Sequence, residues 1–116
     1  MLSLATDRRI WLCTEPTDMP LFFDGLSARV RHHLGEDPSS GQWFAFINRR
    51  ATQIKVLAFE EGGYCVWSKR LEQGQFATLG VAGTRKRALS RTEFLALIEG
   101  VDLLIKRRRK RYKKVA

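Results

Sequence analysis

Sulfur and imidazole are scarce in this 116-residue chain, which carries two cysteines and two histidines. Cys13 and Cys65 belong to no Cys-x-x-Cys pair, and the adjacent His32 and His33 would diverge by about 100° on a helix. These absences exclude a zinc module and a metal clamped by histidines. Each cysteine reads as a small apolar filler in a strand, with a disulfide between them as the minor alternative. Long apolar runs are missing too. None approaches the roughly 20 residues that cross a bilayer, and residues 1–9 lack a cationic segment followed by an apolar one. The chain therefore reads as soluble and unexported, with no membrane partner.

Hydrophobic residues make up 44% of the chain and aromatics 10%, enough for one core. At 13.4 kDa there is no room for a second. The formal charge is +9, and its distribution says more than its total. Eight of the nine residues 106–114 are basic: Lys106, Arg107, Arg108, Arg109, Lys110, Arg111, Lys113 and Lys114. Without them the body holds 13 basic and 12 acidic residues. A terminal block of like charge repels itself in isolation and suits a polyanion, so nucleic acid is the first candidate partner. The reading is a single α+β domain over residues 1–105 and a basic tail, mobile until it meets a partner, over residues 106–116.

Along the body, residues 9–13 form a short β-favouring run closed by Glu15-Pro16. Thr17 and Asp18 offer capping oxygens for a helix bearing Phe22, Leu26, Val30 and His33/Leu34 at helical spacing, ended by Gly35. After a turn-rich loop at residues 36–41 the period becomes that of extended chain, with strands expected at residues 43–47, 53–59, 64–67 and 75–79. Short turn signals at residues 48–51, 61–63 and 72–74 suggest hairpins. Residues 80–88, with two glycines and a basic triplet, read as a flexible basic loop. Ser90-Arg-Thr-Glu93 matches a capping box, opening a helix whose apolar stripe is Phe94, Leu97, Ile98 and Val101, with a stop or kink at Gly100. Leu104 and Ile105 extend the stripe only if the helix runs through that glycine. The expected architecture is an antiparallel meander sheet of four or five strands, a helix after the first strand, a C-terminal helix and the tail.

Catalysis finds little support in these residues. Asp18 with Asp24 flank a helix start, and Glu60 with Glu61 sit at a hairpin turn, so capping and solvation explain both pairs. Ser39, Ser40 and Ser90 have turn and cap explanations, and neither a Gly-x-Ser-x-Gly elbow nor a phosphate-binding glycine loop occurs. The chain reads as no enzyme and as needing no cofactor. What remains is cationic. Arg49 and Arg50 at a hairpin tip, Lys55 beyond it, and Lys69 and Arg70 at the end of the next strand could share one edge of the sheet. Singly, each is as well explained as a solvated turn charge that discourages edge pairing. Joined by Arg85, Lys86, Arg87 and the tail, they favour a phosphate-facing surface. Stacking of single strands on Trp43, Phe59, Trp67 or Phe76 is the weaker reading, because aromatics alternating along strands usually build core.

A family resemblance covers nearly the whole chain. Arg9-Ile-Trp-Leu12, Thr17-Asp-Met19, Phe23-Asp-Gly-Leu26, Leu34-Gly-Glu-Asp-Pro38 with Ser40-Gly41, and Phe44-Ala-Phe46 followed by Asn48-Arg-Arg50 occur in order. Ile54-Lys-Val-Leu57, Lys69-Arg-Leu-Glu72 with Gly74 and Phe76, and Leu97-Ile-Glu-Gly-Val-Asp102 continue the series. Together they resemble the accessory proteins called TnpB in the IS sixty-six family of insertion sequences. The resemblance implies a protein encoded beside a separate, larger transposase and assisting transposition, distinct from the RNA-guided nuclease of the same name. Where that family usually carries Arg-Lys and a small residue, this chain has Pro20-Leu21-Phe22. If the pair touches DNA in relatives, this chain lacks that contact. The expected function is a noncatalytic DNA-binding accessory factor beside the cognate transposase and other proteins of the element. The alternatives are a protein-interaction adaptor on the transposase and an RNA-binding module.

Overall fold

The structure, a computed structural model, describes residues 8–77 and 83–100. Strand β1 (Ile10–Cys13) leads through helix α1 (Phe23–His32) to β2 (Trp43–Ile47). Strands β3 (Gln53–Glu60) and β4 (Gly63–Arg70) form a hairpin, and β5 (Lys86–Leu89) precedes helix α2 (Arg91–Glu99). All five strands join one sheet in the order β4-β3-β2-β1-β5.

The α+β class is as expected, but the sheet is mixed and its order departs from a meander. β2, β3 and β4 run antiparallel in succession, whereas β1 lies parallel to β2. A parallel neighbour needs a crossover, and α1 supplies it. β5 then pairs antiparallel with β1 on the far side of the sheet from β4. The expected strand at residues 75–79 is irregular through residue 77, and residues 78–79 lie outside the described residues. Phe76 is nevertheless buried, its amide bonded to the Ala51 carbonyl at 2.7 Å. The expected basic loop contains β5 instead, because alternation along Lys86-Arg-Ala-Leu89 still turns Leu89 into the core. Residues 80–82 of that loop are also outside the described residues.

Each face of the sheet is covered, which explains why all five residues of β2 are buried. Phe44 and Phe46 face α1, packing with Leu26, Val30, Leu34 and Leu57. Trp43, Ala45 and Ile47 face the other way, with Phe94 and Leu97 of α2 and Phe76. Phe94 meets the Trp43 ring edge-on at 5.7 Å.

Local chemistry sets the element ends. Glu61 (φ 49°) and Gly62 (φ 82°) form the two-residue turn between β3 and β4, the left-handed pair that a tight hairpin requires. Ser90 and Glu93 make the expected reciprocal capping box, and Gly100 in the left-handed conformation ends α2 where the glycine signal placed a stop. The expected Thr17 and Asp18 caps are not formed. Both residues lie ahead of α1, whose N-cap is Phe22 without a side-chain bond. Thr17 is buried instead, accepting from Arg29 Nε at 3.0 Å and thereby tying the helix to the segment before it. The residues proposed to continue the C-terminal stripe, Val101, Leu104 and Ile105, and the boundary between body and tail all lie outside the described residues.

Candidate nucleic-acid interface

Strand direction decides which cations meet. Because β1, β2 and β4 run one way and β3 and β5 the other, the ends of the first three share one side of the sheet with the starts of the last two. Four arginines sit there. Arg49 and Arg50 form the β2–β3 turn, Arg70 ends β4, and Arg85 immediately precedes β5. All four are exposed, and none has a side-chain partner among the described residues. At about 4.8 Å per strand spacing, the row from β4 to β5 spans roughly 19 Å. Helix α2 ends at the same side, since Lys69 Nζ donates to the Ile98 carbonyl at 2.7 Å. Gly100, the last described residue before the basic segment in sequence, therefore lies toward this rim. Exposed carboxylates on this side include Glu15, next to the Thr14 amide that bonds the Arg85 carbonyl, Asp18, next to the Thr17 amide that bonds the Ile47 carbonyl, Glu72 and Glu99.

The other expected cations are occupied elsewhere. Lys55 is 7% exposed and points to the α1 face, where Nζ donates to the carbonyls of Met19 and Leu21 and lies 5.0 Å from the centre of the Phe22 ring. Its role here is to pin the segment before α1. Lys69 closes the carbonyl end of α2, a favourable place for a cation. Arg87 is paired with Glu93 at 3.1 Å. Lys86 donates to the Leu34 carbonyl and pairs with Glu36, while also lying over the Trp11 ring at 4.7 Å. Lys106, Arg107, Arg108, Arg109, Lys110, Arg111, Lys113 and Lys114 lie outside the described residues. Five described arginines fall outside the expected set: Arg8 and Arg9 ahead of β1, Arg29 and Arg31 in the last turn of α1, and Arg91 at the start of α2.

A free guanidinium presents five N–H donors in a planar fork and stays charged at any physiological pH, which suits it to phosphate oxygens. Among the described residues no group of three or more His, Cys, Asp or Glu is placed to hold a metal ion. No helix there is long and apolar enough to cross a membrane. Both cysteines are free, Cys13 buried in β1 and Cys65 half-buried in β4.

The Lys86–Glu36 pair carries a pH signature. Hydrogen bonding from Lys86, partly opposed by desolvation, holds the Glu36 carboxyl below its ordinary value of 4.5. A depressed folded-state value means stability that is present above 4.5 and lost as pH falls through the folded value. Glu36→Gln should therefore melt at a lower temperature than the wild type at neutral pH. The gap should close in acid, as read from thermal melts across a pH series.

Comparison with known proteins places the chain. The family described as IS66 Orf2 like protein matches residues 8–109. Two Sinorhizobium fredii relatives, uncharacterized proteins y4hO and y4jC, are 32% and 30% identical over 102 residues. The alignments cover 88% of this chain in both cases, and 88% and 86% of the respective relatives. No solved structure matches. The family match takes in the whole sheet, both helices and all four rim arginines, and the chain belongs to this insertion-sequence family of IS66 Orf2-like proteins.

Proposed function

We propose that the protein is a noncatalytic accessory factor of transposition that binds DNA phosphates through Arg49, Arg50, Arg70 and Arg85, together with its basic tail, beside a separate transposase. The observation that carries this reading is the gathering of four unpartnered arginines from three separate segments on the side of the sheet where α2 ends. Lys55, Lys69, Lys86, Arg29 and Arg87 are occupied within the fold, whereas the rim gathers four free arginines for an external anion. Arg31 and Arg91 are exposed as well but stand singly on the two helices. Phosphate contacts of this kind position a protein on DNA, and specificity must come from base or shape contacts.

Replacing the four rim arginines by alanine tests this. Each neutralised phosphate contributes about −0.9 to the slope of log affinity against log salt, so the variant should flatten that slope by about 3 to 4 on duplex DNA. A slope unchanged from wild type would remove the rim from the interface. One observation favours docking on the transposase as a second reading. Among the described residues, Phe22 and Phe23 are the exposed large apolar side chains, 45% and 41% open, with ring centres 4.4 Å apart. Phe22 ends the Pro20-Leu21-Phe22 stretch that stands where the resembled family usually carries Arg-Lys and a small residue, and Phe23 opens the Phe-Asp-Gly-Leu motif that follows it.

A further inference from the structure

The two edges of the sheet are built differently. β5 is four residues long and carries Lys86 and Arg87, features that discourage strand addition. β4 is eight residues long, has no proline, and pairs residue for residue with β3 from Glu60 opposite Gly63 to Gln53 opposite Arg70, with no bulge. Its first five residues are Gly63, Tyr64, Cys65, Val66 and Trp67, and none of them is charged. Among the described residues no strand pairs with its outer side, and a long, regular edge of that composition can accept one.

The direction of its free hydrogen-bonding groups follows from the turn. A two-residue left-handed hairpin loop is flanked by a hydrogen-bonded pair, here Glu60 and Gly63. Counting on by two, Cys65, Trp67 and Lys69 direct their amides toward β3. Tyr64, Val66, Ser68 and Arg70 direct theirs outward. No turn or loop backbone bond among the described residues reaches those four.

We propose that β4 pairs antiparallel with β4 of a second copy about a two-fold axis at Val66, making one continuous sheet across two molecules. Charge selects a copy of this chain as the occupant. The strand opens beside the acidic Glu60-Glu61 turn and closes on Arg70, so two-fold pairing sets Arg70 of each copy beside the acidic turn of the other. An isologous interface requires this self-complementarity. Tyr64 then faces Ser68 of the second copy, and Val66 faces Val66. The cationic rims fall at opposite ends of the joined sheet, where their like charges do not oppose one another. The inference does not need Arg49, Arg50 or Arg85 to bind DNA; Arg70 is the one residue the two readings share, and in the dimer it faces the acidic turn of the second copy.

The test is sedimentation equilibrium of the full chain, cleared of nucleic acid by nuclease, over a concentration series. The wild type should reach twice the 13.4 kDa monomer mass. Ser68→Pro removes an outward amide at an exposed position and keeps the backbone bonds to β3, giving up only the exposed bond from Gln53 Nε2 to Ser68 Oγ, so it should raise the dimer dissociation constant at least about tenfold. Its circular dichroism should match the wild type. Arg70→Glu should weaken the dimer as well, and adding Glu61→Arg should restore it, a rescue that a folding defect would not show. If Ser68→Pro unfolds, the charge reversal and its rescue decide the matter. A wild type that stays at 13.4 kDa throughout overturns the proposal. So does a dimer indifferent to the charge reversal.

Discussion

Leu97→Ala is expected to remove about 2 to 5 kcal/mol of folding stability, a large share of the roughly 5 to 15 kcal/mol that holds a domain together. Leu97 is 1% exposed and belongs to the cluster formed by Ile10, Leu12, Trp43, Ile54, Val56 and Phe94. Truncation forfeits the transfer energy of the lost atoms and leaves a cavity between α2 and the sheet, which can collapse only in part. Urea unfolding of the two proteins measures the difference, with an unchanged slope in denaturant confirming that the same surface unfolds. Leu95, half-buried on the same helix, is the control, and its alanine variant should lose less. A Leu97→Ala protein as stable as the wild type would mean that α2 does not close the core and is free to serve as an interaction element.

That stripe was legible in the sequence because every local signal agreed. Ser90 and Glu93 announced the start, Phe94, Leu97 and Ile98 supplied one apolar face, and Gly100 supplied the stop. β2 was legible for the same reason, as an unbroken apolar run bounded by turn signals. β5 was hidden by its position at an edge, where Lys86 and Arg87 are tolerated and only Leu89 is buried. The pairing of β1 with β2 was missed for a different reason. A strand, a helix and a strand in succession read equally well as parts of an antiparallel fold, and only the direction of return through α1 makes the pair parallel. Thr17 misled because a threonine ahead of a helix usually caps it, whereas here Pro20, Leu21 and Phe22 intervene and its hydroxyl serves Arg29.

The candidate site divides along similar lines. Arg49, Arg50 and Arg70 share one side of the sheet through a single hairpin succession, which turn spacing alone suggests. Adding Arg85 required the unseen edge strand beside β1. Lys55 carried a usable signal: alternation puts it on the same face as Leu57 and Phe59, the face that packs on α1. A lysine in such a row reaches for carbonyls when the face is covered. Lys86 and Arg87 could not be told from Arg85 by sequence, because their partners Glu36 and Glu93 are brought to them by the fold.

Deleting residues 106–116 is expected to produce the largest change in DNA binding, because that segment holds eight cations against the four free arginines of the rim. Condensed counterions released from each neutralised phosphate make log affinity fall linearly with log salt. With roughly five to eight phosphates engaged by the tail, its share of the slope is about −4 to −7, and truncation should leave only the shallower dependence of the rim. Discrimination between DNA sequences should behave differently. Contacts to phosphates carry no sequence information, so any preference for the ends of the element should survive truncation if Arg49, Arg50, Arg70 or Arg85 reads a base edge or a narrowed groove. Binding of intact and truncated protein to end DNA and scrambled DNA across a salt series separates the two effects. A slope unaltered by truncation would refute the tail as electrostatic anchor and return the whole of the affinity to the body. Equal affinity for both DNAs in both proteins would assign the choice of sequence to the transposase and leave this chain the task of holding phosphates.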